Sequence, residues 1–166
     1  KPHEIRQAQH GDFSADPVAR DLQQESLAHI QVQSLLAERK LDAEKVFSSD
    51  TLRWLHRAFY QRLPEHQREV HDEATGEAET VEPGQYRRRT VSVGHHIAPA
   101  AEDLPTLVDS FFDIYKPDRH PGTDKIIAVM AAHHRLLWIH PFLDGNGRVA
   151  RLWTDEALKT AGLESV

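Results

Sequence analysis

Apolar residues recur at intervals of three to five in five separate stretches of this chain, while strand-like alternation occurs in one. That pattern confines the fold to helices packed on helices: a 3.6-residue period builds one apolar helix face, whereas a half-buried strand needs a period of two. The first stretch opens at Asp16-Pro17, a capping acid followed by proline at the first helical position, and carries Val18, Leu22, Leu27, Ile30 and Leu35 through to about Arg39. Ser48-Ser49-Asp50 offers caps for a second helix, whose buried face is Leu52, Leu55, Phe59 and Leu63 before Pro64. Leu104, Val108, Phe111, Phe112 and Tyr115 mark a third over 102–115. Thr123 caps a fourth in which Ile126, Ile127, Met130, Leu136, Leu137 and Ile139 leave most sides apolar, as expected of a central helix. A fifth over 148–161 buries Val149, Leu152, Trp153 and Leu158 and stops at Gly162.

The remaining segments are brief. Residues 1–15 are polar without a sustained period and read as an N-terminal extension, leaving 16–166 as one all-α domain, the number that 166 residues predict. Residues 64–83 are polar and acidic, a surface excursion. Tyr86, Thr90, Val91 and Val93, bounded by Pro83-Gly84 and Gly94, predict a short hairpin or edge strand and give the chain its only strand signal.

Twenty Lys and Arg against 26 Asp and Glu give a net charge of −6, so no global basic field holds nucleic acid, and any polyanion needs a local site. The absence of cysteine excludes disulfides, thiolate metal sites and a cysteine nucleophile, and fits a reducing compartment, with cytoplasm as the expectation. No apolar run approaches the roughly 18 residues of a membrane span. Lys1 opens the chain with no signal peptide or lipidation pattern behind it, the expectation for a fragment of a longer protein.

Between the last two apolar helices lies His140-Pro141-Phe142-Leu143-Asp144-Gly145-Asn146-Gly147-Arg148-Val149-Ala150-Arg151. Gly145, Asn146 and Gly147 tolerate left-handed backbone and let successive N–H groups converge before a helix N-terminus, a nest for phosphate oxygens. Arg148 and Arg151 stand three apart in the first turn, where their guanidinium forks can grip further phosphate oxygens. Arginine there opposes the helix dipole, which points to an anionic partner. Asp144 beside the nest suits a hard cation such as Mg2+, which takes one or two carboxylates together with substrate phosphates. His140 is mostly neutral at cytoplasmic pH and can accept a proton from an attacking hydroxyl.

These residues resemble the signature of the Fic (filamentation induced by cAMP) family, His-x-Phe-x-(Asp/Glu)-Gly-Asn-Gly-Arg-x-x-Arg, with all eight fixed positions present. Pro83-Gly84-Gln85-Tyr86-Arg87 resembles the start of that family's flap, and Asp103-Leu104-Pro105 the segment after it. The resemblance implies a compact helical domain with a small β-hairpin flap over 83–98 that transfers AMP from ATP to a Ser, Thr or Tyr hydroxyl of a target protein, with self-modification expected. By resemblance His140 is the base, Asp144 holds Mg2+ across the α- and β-phosphates, the 145–147 amides and both arginines hold the phosphates, and Phe142 anchors the loop. Gln85, Tyr86 and Arg87 belong to the flap that docks the target as an added strand. Self-association of the domain is compatible with the same resemblance.

Many members are silenced by a helix bearing (Ser/Thr)-x-x-x-Glu-(Gly/Asn). The nearest match in the first helix, residues 26–32, places Gln31 at the glutamate, Leu27 at the Ser/Thr and Val32 at the last position, which predicts weakened inhibition because glutamine makes no ion pair. Ser34-x-x-x-Glu38 fits only part of the pattern. Two rival readings remain: the same fold acting on another nucleotide, transferring another phosphate-containing moiety or removing AMP, and a binding module that responds to nucleotide without turnover. His95-His96 and His133-His134 read as surface or structural residues, because neighbours on one element point apart. Arg87-Arg88-Arg89 reads as solvated, and Trp54, Trp138 and Trp153 read as core.

Overall fold

The structure, a computed structural model, describes residues 2–71, 76 and 78–163. Among these run seven α-helices: α1 (Pro2–Gln9), α2 (Pro17–Arg39), α3 (Ala43–Val46), α4 (Ser49–Tyr60), α5 (Leu104–Tyr115), α6 (Asp124–Ile139) and α7 (Asn146–Thr160). Strand β1 (Glu69–His71) pairs antiparallel with β2 (Ala78–Thr80), and β3 (Ser92–Val93) with β4 (His96–Ile97). The fold is therefore all-α with small hairpins.

Helix starts follow from local capping chemistry. Asp16 accepts from the Val18 N–H at 3.4 Å with Pro17 at the first position, Asp42 accepts from Lys45 N–H at 2.9 Å, and Ser48 from Thr51 N–H at 3.2 Å. The core closes on Trp153, wholly buried against Phe47, Phe111 and Phe112, with its indole N–H donating to the Val46 carbonyl at 2.9 Å. Full burial of one such aromatic contributes about 3 kcal/mol.

Helix α7, rather than α6, occupies the centre: it packs on α2, α3, α4 and α6. Helix α6 packs on α5 and α7 and leaves Ile127, Met130 and Trp138 exposed at 68%, 46% and 43%. An apolar circumference thus overstates burial here, and Trp138 is not a core residue.

Four further expectations change. Residues 1–15 are not a bare extension: α1 packs on α2 through Ala8, and the buried amide of Gln23 donates to the Glu4 carbonyl at 3.0 Å and accepts from Ser14 N–H at 2.8 Å. Helix α2 buries Gln23, Ala28, Val32 and Leu36 while Val18 and Leu22 stay exposed, so a face spaced by four at 28, 32 and 36, and not the expected stripe, is its buried face. The polar excursion at 64–83 contains the β1–β2 hairpin, whose strands are almost wholly exposed and so carry no alternating apolar signal. The strand expected over 85–94 is confined to Ser92–Val93, since the chain around Arg87 turns inward to bond the 139–141 backbone.

Candidate active site

Helix α6 ends at Ile139, and His140 follows in left-handed conformation at φ 50°, its N–H still donating to the Leu136 carbonyl at 3.0 Å. For a residue with a Cβ that conformation costs about 1–2 kcal/mol. It is held from below by Arg87, which is 5% exposed. Arg87 Nε donates to the His140 carbonyl at 2.8 Å, Nη1 to Arg89 O at 2.8 Å, and Nη2 to Pro99 O at 2.6 Å and Ile139 O at 3.3 Å. Its backbone N–H reaches Pro141 O at 3.0 Å. A fixed cation at the C-terminal end of α6 also complements the helix dipole. Arg87 is thus no solvated charge.

The His140 ring fixes its own tautomer. Nδ1 lies 3.2 Å from the Leu137 carbonyl, which can only accept, so Nδ1 carries the proton and Nε2 keeps a free lone pair. Burial lowers the imidazole below its ordinary 6.5, and the Arg87 and His96 charges add to that, against the Leu137 bond and the Asp144 carboxylate. A neutral, half-buried imidazole with one free nitrogen is a proton acceptor at neutral pH.

Past His140 the loop is pinned from inside. Phe142 is 1% exposed and stacks on His56, ring centroids 4.0 Å apart and planes 13° from parallel. The buried Asn146 side chain donates to Phe142 O at 2.8 Å and accepts from Phe142 N–H at 2.9 Å. Its amide group thereby closes the loop, and only its backbone N–H is left to meet a ligand. Gly145 begins α7 at φ 77°, where an added Cβ would sit 2.6 Å from the Tyr60 ring. No side chain caps α7, so its first-turn N–H groups stay available to an anion.

One cavity of about 340 Å³ takes in His140, Asp144, the 145–147 turn, Arg148 and Arg151, with Val93 of β3 and Glu25 of α2 at its rim. The cavity is thus lined by every loop residue singled out in the sequence except Phe142, which lies in the core. Arg148 is engaged by Glu25 in an ion pair whose side chains are 27% and 25% exposed, and its Nη1 stands 3.7 Å from Asp144 Oδ2.

Other expected residues lie elsewhere. Gln31 is exposed, and the face of α2 that borders the arginines instead presents Glu25, Ser26, His29 and Ile30 around an adjoining cavity of about 290 Å³. Gln85 and Tyr86 sit against α4 rather than on the β3–β4 ribbon: Gln85 accepts from Arg53 at 3.1 Å, and the Tyr86 hydroxyl meets Ser49 Oγ at 2.9 Å, while Arg87 reaches the ribbon only at its flanks. The ribbon itself rests on α6, where His96 Nε2 donates to Trp138 O at 2.8 Å.

Three site neighbours escaped sequence reasoning. Glu25 had no local signal, lying 123 residues from Arg148. His56 and Tyr60 on α4 had one, two polar atoms four apart within an apolar face. His56 Nδ1 accepts from Gly84 N–H at 2.8 Å, so Nε2 carries the proton and donates to Asp144 O at 3.2 Å; burial pushes this imidazole down to about 4. Burial and the Asp144 carboxylate raise the Tyr60 phenol, which stays protonated and donates to Asp144 Oδ2 at 2.6 Å.

The sequence profile of the Fic/DOC family matches residues 46–158, more than half of the chain. This protein belongs to the Fic/DOC family. Curated Fic relatives named protein adenylyltransferase Fic are 36% identical in Drosophila willistoni and 38% in Nematostella vectensis, each over 98 residues, which is 59% of this chain. The chain spans about a fifth of their length, 20% and 23%. A Fic family protein from Desulfovibrio desulfuricans superposes with a TM-score of 0.65 at 21% identity, covering 97% of this chain and 43% of that one. A Fic domain containing signaling protein from Bacteroides thetaiotaomicron gives 0.69 at 22% identity, covering 98% and 57%. Both are likenesses of fold.

In this Fic domain no group of three or more His, Asp or Glu among the described residues is placed to hold a metal. Two carboxylates line the cavity, but Glu25 is held in its ion pair with Arg148, which leaves Asp144, its side chain 48% exposed, as the carboxylate open to a cation. That donor set fits a Mg2+ ion delivered with nucleotide phosphates and waters, and does not fit a resident metal. Among the described residues no helix is long and apolar enough to cross a membrane.

Proposed function

We propose that this Fic domain is a protein adenylyltransferase, moving AMP from ATP to a serine, threonine or tyrosine hydroxyl of a target protein. One observation carries the reading: His140, whose Nδ1 is tied to the Leu137 carbonyl, lines the same cavity as the uncapped N-terminus of α7 and its two arginines. A proton acceptor beside an anion cradle is the equipment for hydroxyl attack on a phosphate. The target oxygen attacks the α-phosphorus, its proton passes to His140 Nε2, and the bond from the α-phosphorus to the bridging oxygen breaks with pyrophosphate leaving. The amides of Gly145, Asn146 and Gly147 hold phosphate oxygens in line, and Arg148 and Arg151 hold the outer phosphates. Asp144 would hold Mg2+, which neutralises phosphate charge when bound with the nucleotide. The target backbone adds along the β3–β4 ribbon, whose short exposed strands offer hydrogen bonds that require little sequence. The names of the curated relatives support this chemistry. A cytoplasmic setting, expected from the cysteine-free sequence, belongs to the same proposal.

The Glu25–Arg148 pair adds a regulatory side to the reading. Nucleotide phosphates and Glu25 would compete for one guanidinium, so in this reading α2 restrains ATP binding through Glu25.

Intact-mass spectrometry of the domain with ATP and Mg2+, beside His140→Ala, tests the proposal. A gain of one AMP unit on the domain or an added target protein, in the unmutated chain only, supports it. Saturable ATP binding with no AMP adduct on any protein favours the nucleotide-responsive binding module.

A further inference from the structure

The loop motif accounts for Asp144 but not for what holds it. Helix α4 supplies that: His56 and Tyr60, four residues apart and wholly buried, reach Asp144 from one side. Tyr60 bonds carboxylate oxygen Oδ2 at 2.6 Å, and His56 Nε2 bonds the backbone carbonyl at 3.2 Å. The His56 ring is itself sandwiched, 4.0 Å from Phe142 and 4.5 Å from Tyr60 by centroids, and its Nδ1 is tied to Gly84 N–H. Both ends of one residue are thereby fixed by side chains that have no freedom of their own.

We infer that Tyr60, seconded by His56, is the positioning residue for Asp144, holding Oδ2 so that Oδ1 faces the cavity as the ligand for the divalent cation that accompanies the nucleotide. The inference rests on the cation role proposed for Asp144. A competitor gives the clamp its purpose: Arg148 Nη1 stands 3.7 Å from the same Oδ2. That separation is already the long edge of an ion pair; an unclamped carboxylate would close on Arg148 to hydrogen-bond distance, removing at one stroke the cation ligand and a phosphate grip. The short phenol bond holds the acid back from that closer contact. Sequence carries a trace of this, since Tyr60 stands where the apolar face of α4 would accept phenylalanine.

Tyr60→Phe removes one oxygen and keeps the ring. The probe is Mn2+, titrated by electron paramagnetic resonance into the domain saturated with α,β-methylene ATP. Loss of a residue that orients a metal ligand weakens the metal by about tenfold or more. The expected result is a tenfold weaker Mn2+ affinity, cation-free nucleotide affinity within about threefold, a melting temperature lowered only by the lost hydrogen bond, and a transfer rate that recovers at saturating Mn2+. A merely structural tyrosine would move the melting temperature and leave the Mn2+ titration unmoved, and an unmoved titration overturns the inference. Asp144→Asn separates the two claims. If it weakens Mn2+ and Tyr60→Phe does not, positioning alone falls; if Asp144→Asn has no effect, the cation role falls and the inference with it. In the Asp144→Asn background Tyr60→Phe adds no further loss, and a full second tenfold loss would show that Tyr60 acts elsewhere.

Discussion

Arg87 and His140, 53 residues apart in sequence, are joined by a hydrogen bond of 2.8 Å from a buried guanidinium to the backbone carbonyl of the proposed base. The same guanidinium also reaches carbonyls on both flanks of the β3–β4 ribbon, at Arg89 and Pro99. One side chain therefore sets the ribbon and the base relative to each other. Lysine keeps the charge but cannot span four carbonyls. Arg87→Lys should lower the AMP transfer rate by about a hundredfold, the scale of a 1 Å misplacement. ATP affinity should stay within about threefold, because the phosphate cradle is untouched. Calorimetric titration beside a radiolabel transfer assay separates the two, and equal losses in both would show that Arg87 supports the whole loop instead.

The half-buried pair of Glu25 and Arg148 predicts that Glu25→Gln frees a phosphate ligand. A hydrogen bond between charged partners of this kind contributes about 1.5 kcal/mol, so ATP affinity should tighten by about tenfold. Gln31→Glu should leave it unchanged, because residue 31 is exposed and does not border the arginines. Calorimetry on both variants decides between the positions. Tightening absent in the first, or weakening in the second, would restore Gln31 as the controlling site.

The proton inventory of His140 has a sign that can be checked. Burial lowers its pKa below 6.5, so the neutral form that accepts a proton persists into mildly acid solution and is lost only as pH falls through the lowered value. The acid limb of kcat/KM for AMP transfer should therefore have its midpoint below pH 6.5, with a plateau above it. A limb centred at or above 6.5 would mean that the imidazole is better solvated than its surroundings indicate.

Gly145→Ala combines a left-handed backbone at φ 77° with a Cβ 2.6 Å from the rigid Tyr60 ring. Strain of that sort costs at least about 2 kcal/mol, a fall of roughly 4–8 °C in melting temperature for a domain of this size. Differential scanning calorimetry reads it directly. Gly147→Ala, whose Cβ would meet Arg151 Nη1 at an ordinary 3.5 Å, should cost little stability and should report instead on room needed by the nucleotide.

The motif at 140–151 was readable because its chemistry is local: turn residues, helix-terminal arginines and a histidine within twelve positions. The main helices were readable for the same reason, through their caps and 3.6-residue stripes. Long-range arrangement left no such mark. Nothing in 85–89 distinguishes the buried Arg87 from its solvated neighbours, since its partners are backbone carbonyls that no residue type advertises. Helix α1 was hidden because it docks through one alanine and a glutamine amide rather than a stripe. The β1–β2 hairpin was hidden because, apart from Val70 against the core, its strand side chains are exposed and give no alternating apolar pattern.

The left-handed conformation of His140 sets two pressures on one position. A helix ends in that geometry most comfortably on glycine or asparagine. The residue the proposed chemistry requires is therefore not the residue the turn would choose, and the turn is braced by Arg87 and Phe142. Mutational drift toward thermal stability alone would discard His140 early, leaving well-folded descendants without the proposed base.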